Sequence, residues 1–82
     1  MPSKGPEYPA KAKAAHIDGV IPVYIHVSET GQIIRIYSDQ GPELLRKAAE
    51  DYASQFTFTP AKLNGIPTTA RYTLNVVFNL KD

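Results

Sequence analysis

The segment that decides the fold is Arg71-Tyr72-Thr73-Leu74-Asn75-Val76-Val77-Phe78-Asn79-Leu80. Apolar and aromatic side chains occupy every second position of this segment, and mostly polar side chains occupy the positions between them. A period of two places successive side chains on opposite faces of an extended strand. The segment is therefore predicted to form a long β-strand with one buried face and one exposed face.

Two further strands are predicted upstream, as a hairpin. Residues 20–27 alternate in the same way, and Ser28-Glu29-Thr30-Gly31 supplies turn residues before β-type sequence resumes at residues 32–38. Pro22 lacks an amide hydrogen, so it is expected near the start of the first strand or beside a gap in the ladder. The adjacent pair Ile33-Ile34 breaks the alternation and predicts a bulge or a strand covered on both faces.

Two helices are predicted from proline, alanine and the spacing of apolar residues. Pro9 and the alanine-rich residues 10–16 favour a short helix that stops at Asp18-Gly19. The segment 39–43, with Pro42 and Glu43, is typical of a second helix start. The apolar residues that follow recur every three or four positions over about four turns: Leu44, Leu45, Ala48, Ala49, Tyr52, Ala53 and Phe56.

The region between the second helix and the last strand is predicted to contain a short strand and a turn. Residues 56–59 have a period of two, and Pro60 is expected to end that strand. The pair Asn64-Gly65 predicts a turn with positive backbone φ angles.

These elements predict an α+β fold with two helices packed on one face of a three-stranded antiparallel sheet of strand order 2-1-3. A right-handed crossover through the second helix would return the last strand beside the first. The last strand then has an open edge. Residues 1–7 are expected to be a flexible linker, and residues 8–82 the folded domain. The predicted core consists of Ile25, Val27, Leu45, Ala49, Leu74 and Phe78.

Composition excludes several classes of function. The 82 residues include nine Lys plus Arg and eight Asp plus Glu, a net charge of +1, so there is no basic excess that would favour nucleic acid or an anionic bilayer. The absence of cysteine excludes disulfides, thiolate catalysis and Cys-based metal sites. No apolar stretch approaches the ~20 residues of a membrane helix, and the N-terminus has no apolar signal core.

No group of residues has the pattern of a catalytic, cofactor or metal site. His16 and His26 lack a metal-binding spacing, and they are interpreted as a helix C-terminal residue and an outward strand residue. No serine lies in a nucleophile motif, and the pair Glu50-Asp51 is expected on the solvated helix face. The sequence therefore predicts a protein that is not an enzyme and that uses no cofactor.

Aromatic residues leave a nucleic-acid binder as one alternative. Four tyrosines could stack the bases of a single strand: Tyr24, Tyr37, Tyr52 and Tyr72. Such platforms need cations on the same face, and Arg35 and Arg71 are the only close candidates. Packing in or beside the core is the favoured interpretation of these tyrosines.

A set of residues spread over positions 8–80 resembles a known family in its order and spacing. In sequence order they are Tyr8-Pro9, Ala12, Ile17-x-Gly19, Gly31, Leu45, Ala49, Phe58-x-Pro60-Ala61, Asn64-Gly65-x-Pro67 and Val77-Phe78. The pattern resembles the C-terminal domain of TonB, the energy transducer of bacterial outer-membrane transport. Two departures are Pro22 in the first strand and a second helix that carries Tyr52 and Phe56 with no tryptophan nearby.

The resemblance implies a periplasmic domain that binds the TonB box of ligand-loaded outer-membrane transporters by β-strand addition. In the family, the box pairs beside the last strand, and the segment before the first helix also contacts it. The residues this implicates are Glu7, Tyr8, Arg71, Thr73, Asn75, Val77 and Asn79.

The resemblance also implies a larger assembly. Family members are anchored in the inner membrane by an N-terminal helix, span the periplasm with a Pro-rich stretch, and couple to proton-driven motor proteins. The chain is then a fragment of such a protein, serving uptake of siderophores, cobalamin or similar nutrients. The alternative is a TonB-like periplasmic module of another membrane protein, such as an antibiotic-response sensor. The open edge could also support a strand-exchanged homodimer.

Overall fold

The computed structural model describes residues 6–80. Most of the predicted linker at residues 1–7 lies outside the described residues. Between residues 6 and 80, no helix is long and apolar enough to cross a membrane. The elements in chain order are α1 (Ala10–Ala14), β1 (Gly19–Val27), β2 (Ile33–Tyr37), α2 (Glu43–Ala53), β3 (Ala61–Leu63), β4 (Ile66–Thr68) and β5 (Ala70–Phe78).

The main sheet has three antiparallel strands in the order β2-β1-β5, and β3 pairs with β4 in a separate two-stranded sheet. The prediction of an α+β fold with two helices and an antiparallel sheet is confirmed. The prediction of one three-stranded sheet of order 2-1-3 is not matched exactly, because β3 and β4 form a second, two-stranded sheet and the last strand of the main sheet is the fifth in the chain. Asn64 and Gly65 both have positive φ, 53° and 80°, so two residues suffice to close this hairpin.

The core lies between the main sheet and the helices. Its fully buried members come from the inward positions of β1 and β5 and from one face of each helix. They are Ala12, Ile21, Val23, Ile25, Val27, Leu45, Ala49, Ala53, Val76 and Phe78. Leu74 of the predicted core is half-buried against this cluster.

The sheet has two irregularities, a gap in the ladder and a bulge, and both lie at residues that the sequence singled out. Pro22 pairs with Asn75 of β5, but the β1–β2 pairing begins only at Tyr24, so the proline lies beside a gap in the ladder, one of its two predicted placements. The β1–β2 register shifts between His26 and Val27, because Val27 faces Ile33 and His26 faces Arg35. The predicted bulge therefore lies at Ile34, which is 62% exposed.

The predictions for the helix ends and the first short strand were wrong in detail. α1 ends at Ala14, and His16, with φ 56°, takes the left-handed conformation assigned to Gly19, which instead starts β1. α2 spans 11 residues, about three turns, and Phe56 lies beyond it. Residues 56–59 are not a strand, and β3 starts after Pro60. Phe58 instead stacks its ring on Tyr72 at a centroid distance of 5.3 Å.

Candidate peptide-binding edge

β5 is a long edge strand of the main sheet. Its nine residues pair with β1 without a register shift, from Val27 opposite Ala70 to Gly19 opposite Phe78. Within residues 6–80, β1 is its only strand neighbour in that sheet. One row of its backbone groups is therefore without a strand partner.

Pro22 determines which amides form that row. In an antiparallel ladder, directly opposed residues either exchange both backbone hydrogen bonds or exchange none. Pro22 has no amide hydrogen, so the pair Pro22 and Asn75 must be one that exchanges none. The N–H and C=O groups of Asn75 then point away from β1. By the same alternation, so do those of Arg71, Thr73 and Val77.

The edge lacks the devices that usually protect a sheet edge. Proline, lysine, bulges and short length all discourage pairing at natural edges. β5 contains no proline, lysine or acidic residue, and its only charged residue is Arg71. The other edge strand, β2, has only five residues and contains the bulge at Ile34. β5 is therefore the better template for an added strand.

The predicted partner-binding side chains on β5 share one exposed face. Arg71, Thr73, Asn75 and Val77 alternate with the core-facing residues and are exposed, Val77 by 58%. Asn79 is also exposed and follows the end of the strand. An extended peptide beside β5 would thus meet four free amides and, on one side, these four side chains.

Sequence reasoning missed a residue on the opposite face of β5 that fixes a neighbouring segment beside this strand. Tyr72 is 37% exposed, stacks on Phe58, and donates its hydroxyl hydrogen to the Thr59 carbonyl at 2.9 Å. This contact fixes the segment 58–59 beside the start of β5. The signal available in the sequence was Pro60, which lacks an amide hydrogen and disfavours ladder pairing beside Phe58.

Tyr8 connects the segment before α1 to the far end of β5. Its ring meets Phe78 edge to face at a centroid distance of 5.5 Å, and its hydroxyl donates to the Ile17 carbonyl. Desolvation of the hydroxyl, and then the negative charge of Asp18, raise the pKa of Tyr8 above its ordinary value of 10.0. Tyr8 is thus held as a neutral hydrogen-bond donor.

Glu7 lies apart from the exposed face of β5. It lines a groove between α1 and α2 together with Pro9, Leu44, Ala48 and Tyr52. Phe78 and Arg71 are separated by seven residues, about 23 Å along the strand. The structure therefore places Tyr8 at one end of β5 and Arg71 at the other, with Glu7 in the helical layer.

Comparison with known proteins identifies the family. The family model for the C-terminal region of Gram-negative bacterial TonB proteins matches residues 4–80, nearly the whole chain. No individual curated protein matches the chain significantly. The match covers both helices and every strand described above. This chain is therefore a member of the Gram-negative bacterial TonB C-terminal domain family.

Proposed function

We propose that this domain binds the TonB box of outer-membrane transporters by adding it as a strand beside β5. The domain would act in the periplasm as part of an inner-membrane-anchored protein. It would pass energy from proton-driven motor proteins to the uptake of siderophores, cobalamin or similar nutrients. Membership of the TonB C-terminal family supports this transport-related, non-enzymatic role.

The free edge of β5 is the observation that carries the proposal. Four residues, Arg71, Thr73, Asn75 and Val77, direct N–H and C=O groups away from β1. Main-chain hydrogen bonds of this kind provide affinity in β-augmentation, and alternate side chains provide specificity. Each bond formed contributes about 0.5 to 1.5 kcal/mol net.

The remaining predicted site residues have separate roles in this proposal. Asn79 would extend the side-chain contacts past the end of β5. Tyr8 holds the entering segment at Phe78 and would act by positioning. Glu7 would contact the portion of a partner that reaches the groove between the helices.

The test is an N-methyl scan of a synthetic peptide that carries a transporter's TonB box. Along an added strand, only every second peptide amide faces β5. Methylation should therefore weaken binding at alternate positions, by about 1 kcal/mol or more where a bond is lost. Equal losses at all positions, or at none, would contradict strand addition.

The oligomeric state of the domain should be measured in the same experiments. A strand-exchanged homodimer would occupy the same edge and compete with the peptide. If such a dimer forms and the peptide binds by strand addition, adding the peptide should convert the dimer to a complex of one domain with one peptide, which sedimentation would detect. A dimer that peptide cannot displace would instead favour self-association as the use of this edge.

A further inference from the structure

The face of the main sheet opposite the helices is a second candidate surface. α2 packs on β1 and β5 from one side, and the outward residues of the three strands lie on the other. These outward residues are half-buried or exposed. We refer to this surface as the helix-free face.

The strand register places three basic side chains in one row across the helix-free face. His26 of β1 is opposite Arg35 of β2 on one side and opposite Arg71 of β5 on the other. The three strands contain no acidic residue, and in the described part of the chain neither arginine forms a salt bridge. Neighbouring strands are about 4.8 Å apart, so the backbones of Arg35 and Arg71 are about 9.6 Å apart. We call His26, Arg35 and Arg71 the basic row.

An aromatic pair lies directly beside the basic row. Tyr24 is opposite Tyr37, and their ring centroids are 5.2 Å apart. The Arg35 guanidinium lies 4.5 Å from the centroid of Tyr37, and His26 meets that ring edge-on at 6.3 Å. The cation–π contact orients Arg35 next to the tyrosines. Aromatic side chains accept proline rings in peptide-binding grooves, and because Arg35 covers one face of Tyr37, a proline ring would contact the remaining accessible surface of the two tyrosines.

The backbone spacing of Arg35 and Arg71 matches one repeat of a polyproline II helix. That helix has three residues per turn and rises about 3.1 Å per residue, so residues i and i+3 lie on one side about 9.3 Å apart. Two carboxylates with that spacing could pair with Arg35 and Arg71. The prolines between them would face Tyr24 and Tyr37.

We propose that the helix-free face binds an acidic, proline-containing partner segment in the polyproline II conformation, laid across the strands. Charge complementarity selects carboxylates, and the tyrosine pair selects proline. This site goes beyond strand addition, because a peptide at the basic row leaves the edge amides of Asn75 and Val77 free. A single nucleic-acid strand is the competing ligand, and the net charge of +1 disfavours it.

The test measures binding of a labelled peptide with four Glu-Pro-Pro repeats by fluorescence anisotropy, with amide chemical shifts to locate the site. Three ligands serve as comparisons: a Lys-Pro-Pro repeat, a Glu-Gly-Ser repeat of equal charge, and a single-stranded oligonucleotide. We expect the Glu-Pro-Pro peptide to bind best and to perturb residues of the basic row and the tyrosine pair.

Variants of the protein separate this site from the β5 edge. Arg35→Gln and Arg71→Gln should each weaken the Glu-Pro-Pro peptide by about 1.5-fold to fivefold, which is the range of an exposed ion pair. Only Arg35→Gln should leave box binding unchanged, because Arg71 also belongs to the β5 edge. Lys62→Gln, on exposed β3, removes the same charge elsewhere and should change nothing. Asn75→Pro should weaken box binding and leave this peptide bound, so failure of one proposal is distinguishable from failure of the other.

Four outcomes would overturn the proposal. Equal binding of the Glu-Gly-Ser peptide would remove the polyproline requirement, and equal binding of the Lys-Pro-Pro peptide would remove the charge requirement. Tighter binding of the oligonucleotide at the same residues would assign the face to nucleic acid. Lack of binding by all four ligands to a folded protein would reject the site.

Discussion

The Tyr8 ring stands edge-on to the Phe78 ring, with centroids 5.5 Å apart and planes at 84°. Phe78 is 3% exposed and is the last residue of β5. The strand that offers the free edge is thus fixed at one end by the segment that precedes α1.

Truncation of Phe78 should remove much of the domain's stability. Phe78→Ala deletes a buried ring and its contact with Tyr8, so the free energy of unfolding should fall by about 3 to 5 kcal/mol. Urea denaturation followed by circular dichroism measures the change. Val77→Ala, at a residue that is 58% exposed, is the control and should cost no more than about 0.5 kcal/mol. A loss below about 1 kcal/mol for Phe78→Ala would mean that the core is arranged differently.

Tyr8 should make stability depend on pH in the alkaline range. Its folded-state pKa is raised, so the native state holds the phenolic proton more tightly than the unfolded state. The stability that this tighter proton binding provides is fully present below pH 10.0, the ordinary pKa of tyrosine, and is lost as the pH rises through the raised pKa of Tyr8. Tyr8→Phe should therefore lower stability at neutral pH and reduce its alkaline decline.

The control for Tyr8 is Tyr37→Phe, which removes a hydroxyl from the opposite face of the sheet. Thermal unfolding should be compared between pH 7 and 11 for both variants. If stability falls equally with pH in both variants, the Tyr8 hydroxyl is not the cause of the alkaline loss of stability.

Gly65 and Gly41 should respond differently to an added side chain. Gly65 has φ 80° and open space around it, so Gly65→Val should cost only the backbone strain, about 1 kcal/mol or more. Gly41 has φ 89°, and a Cβ there would lie 2.5 Å from Ile21 Cδ1. Gly41→Ala should therefore cost more than Gly65→Ala in the same denaturation assay. Gly65→Asn should be nearly neutral, because asparagine tolerates this conformation.

Proline substitutions should distinguish the two sides of β5. Asn75→Pro and Val77→Pro each delete an amide that points away from β1, so the fold should survive while TonB box binding falls. Leu74→Pro deletes an amide that bonds to Val23, so it should unfold the domain. Circular dichroism and peptide titration give the two readouts. If Asn75→Pro unfolds the domain and Leu74→Pro does not, the ladder has the opposite phase.

The sequence predicted best where a single physical rule dominated. Alternation over β1 correctly identified its buried residues. The Ile33-Ile34 pair predicted either a bulge or a strand covered on both faces, and the bulge is the alternative that the structure shows. Pro22 was expected near the start of β1 or beside a ladder gap, because it cannot donate a hydrogen bond. In each case, the local pattern and the tertiary structure impose the same requirement.

The errors arose where tertiary contacts decided between local alternatives. Residues 56–59 alternate like a strand, but stacking of Phe58 on Tyr72 and the bond to the Thr59 carbonyl hold them in another conformation. Glycine favours the left-handed region more than histidine does, yet His16 adopts it as the residue that ends α1, where the N–H groups of His16 and Ile17 donate to the Lys13 and Ala12 carbonyls. The basic row was hidden for a similar reason, since only the register brings residues 26, 35 and 71 together.

The contacts of Tyr8 with Phe78 and Ile17 bear on how mechanical load would pass through the domain. Tension applied through the residues before Tyr8 would reach the sheet at the end where Tyr8 contacts Phe78 and where β1 begins opposite it. A partner strand drawn along the axis of β5 would load its hydrogen bonds together, and they would rupture as a group. A partner drawn across that axis would be peeled away one bond at a time. The strength of the linkage would therefore depend on the direction of pull as well as on affinity.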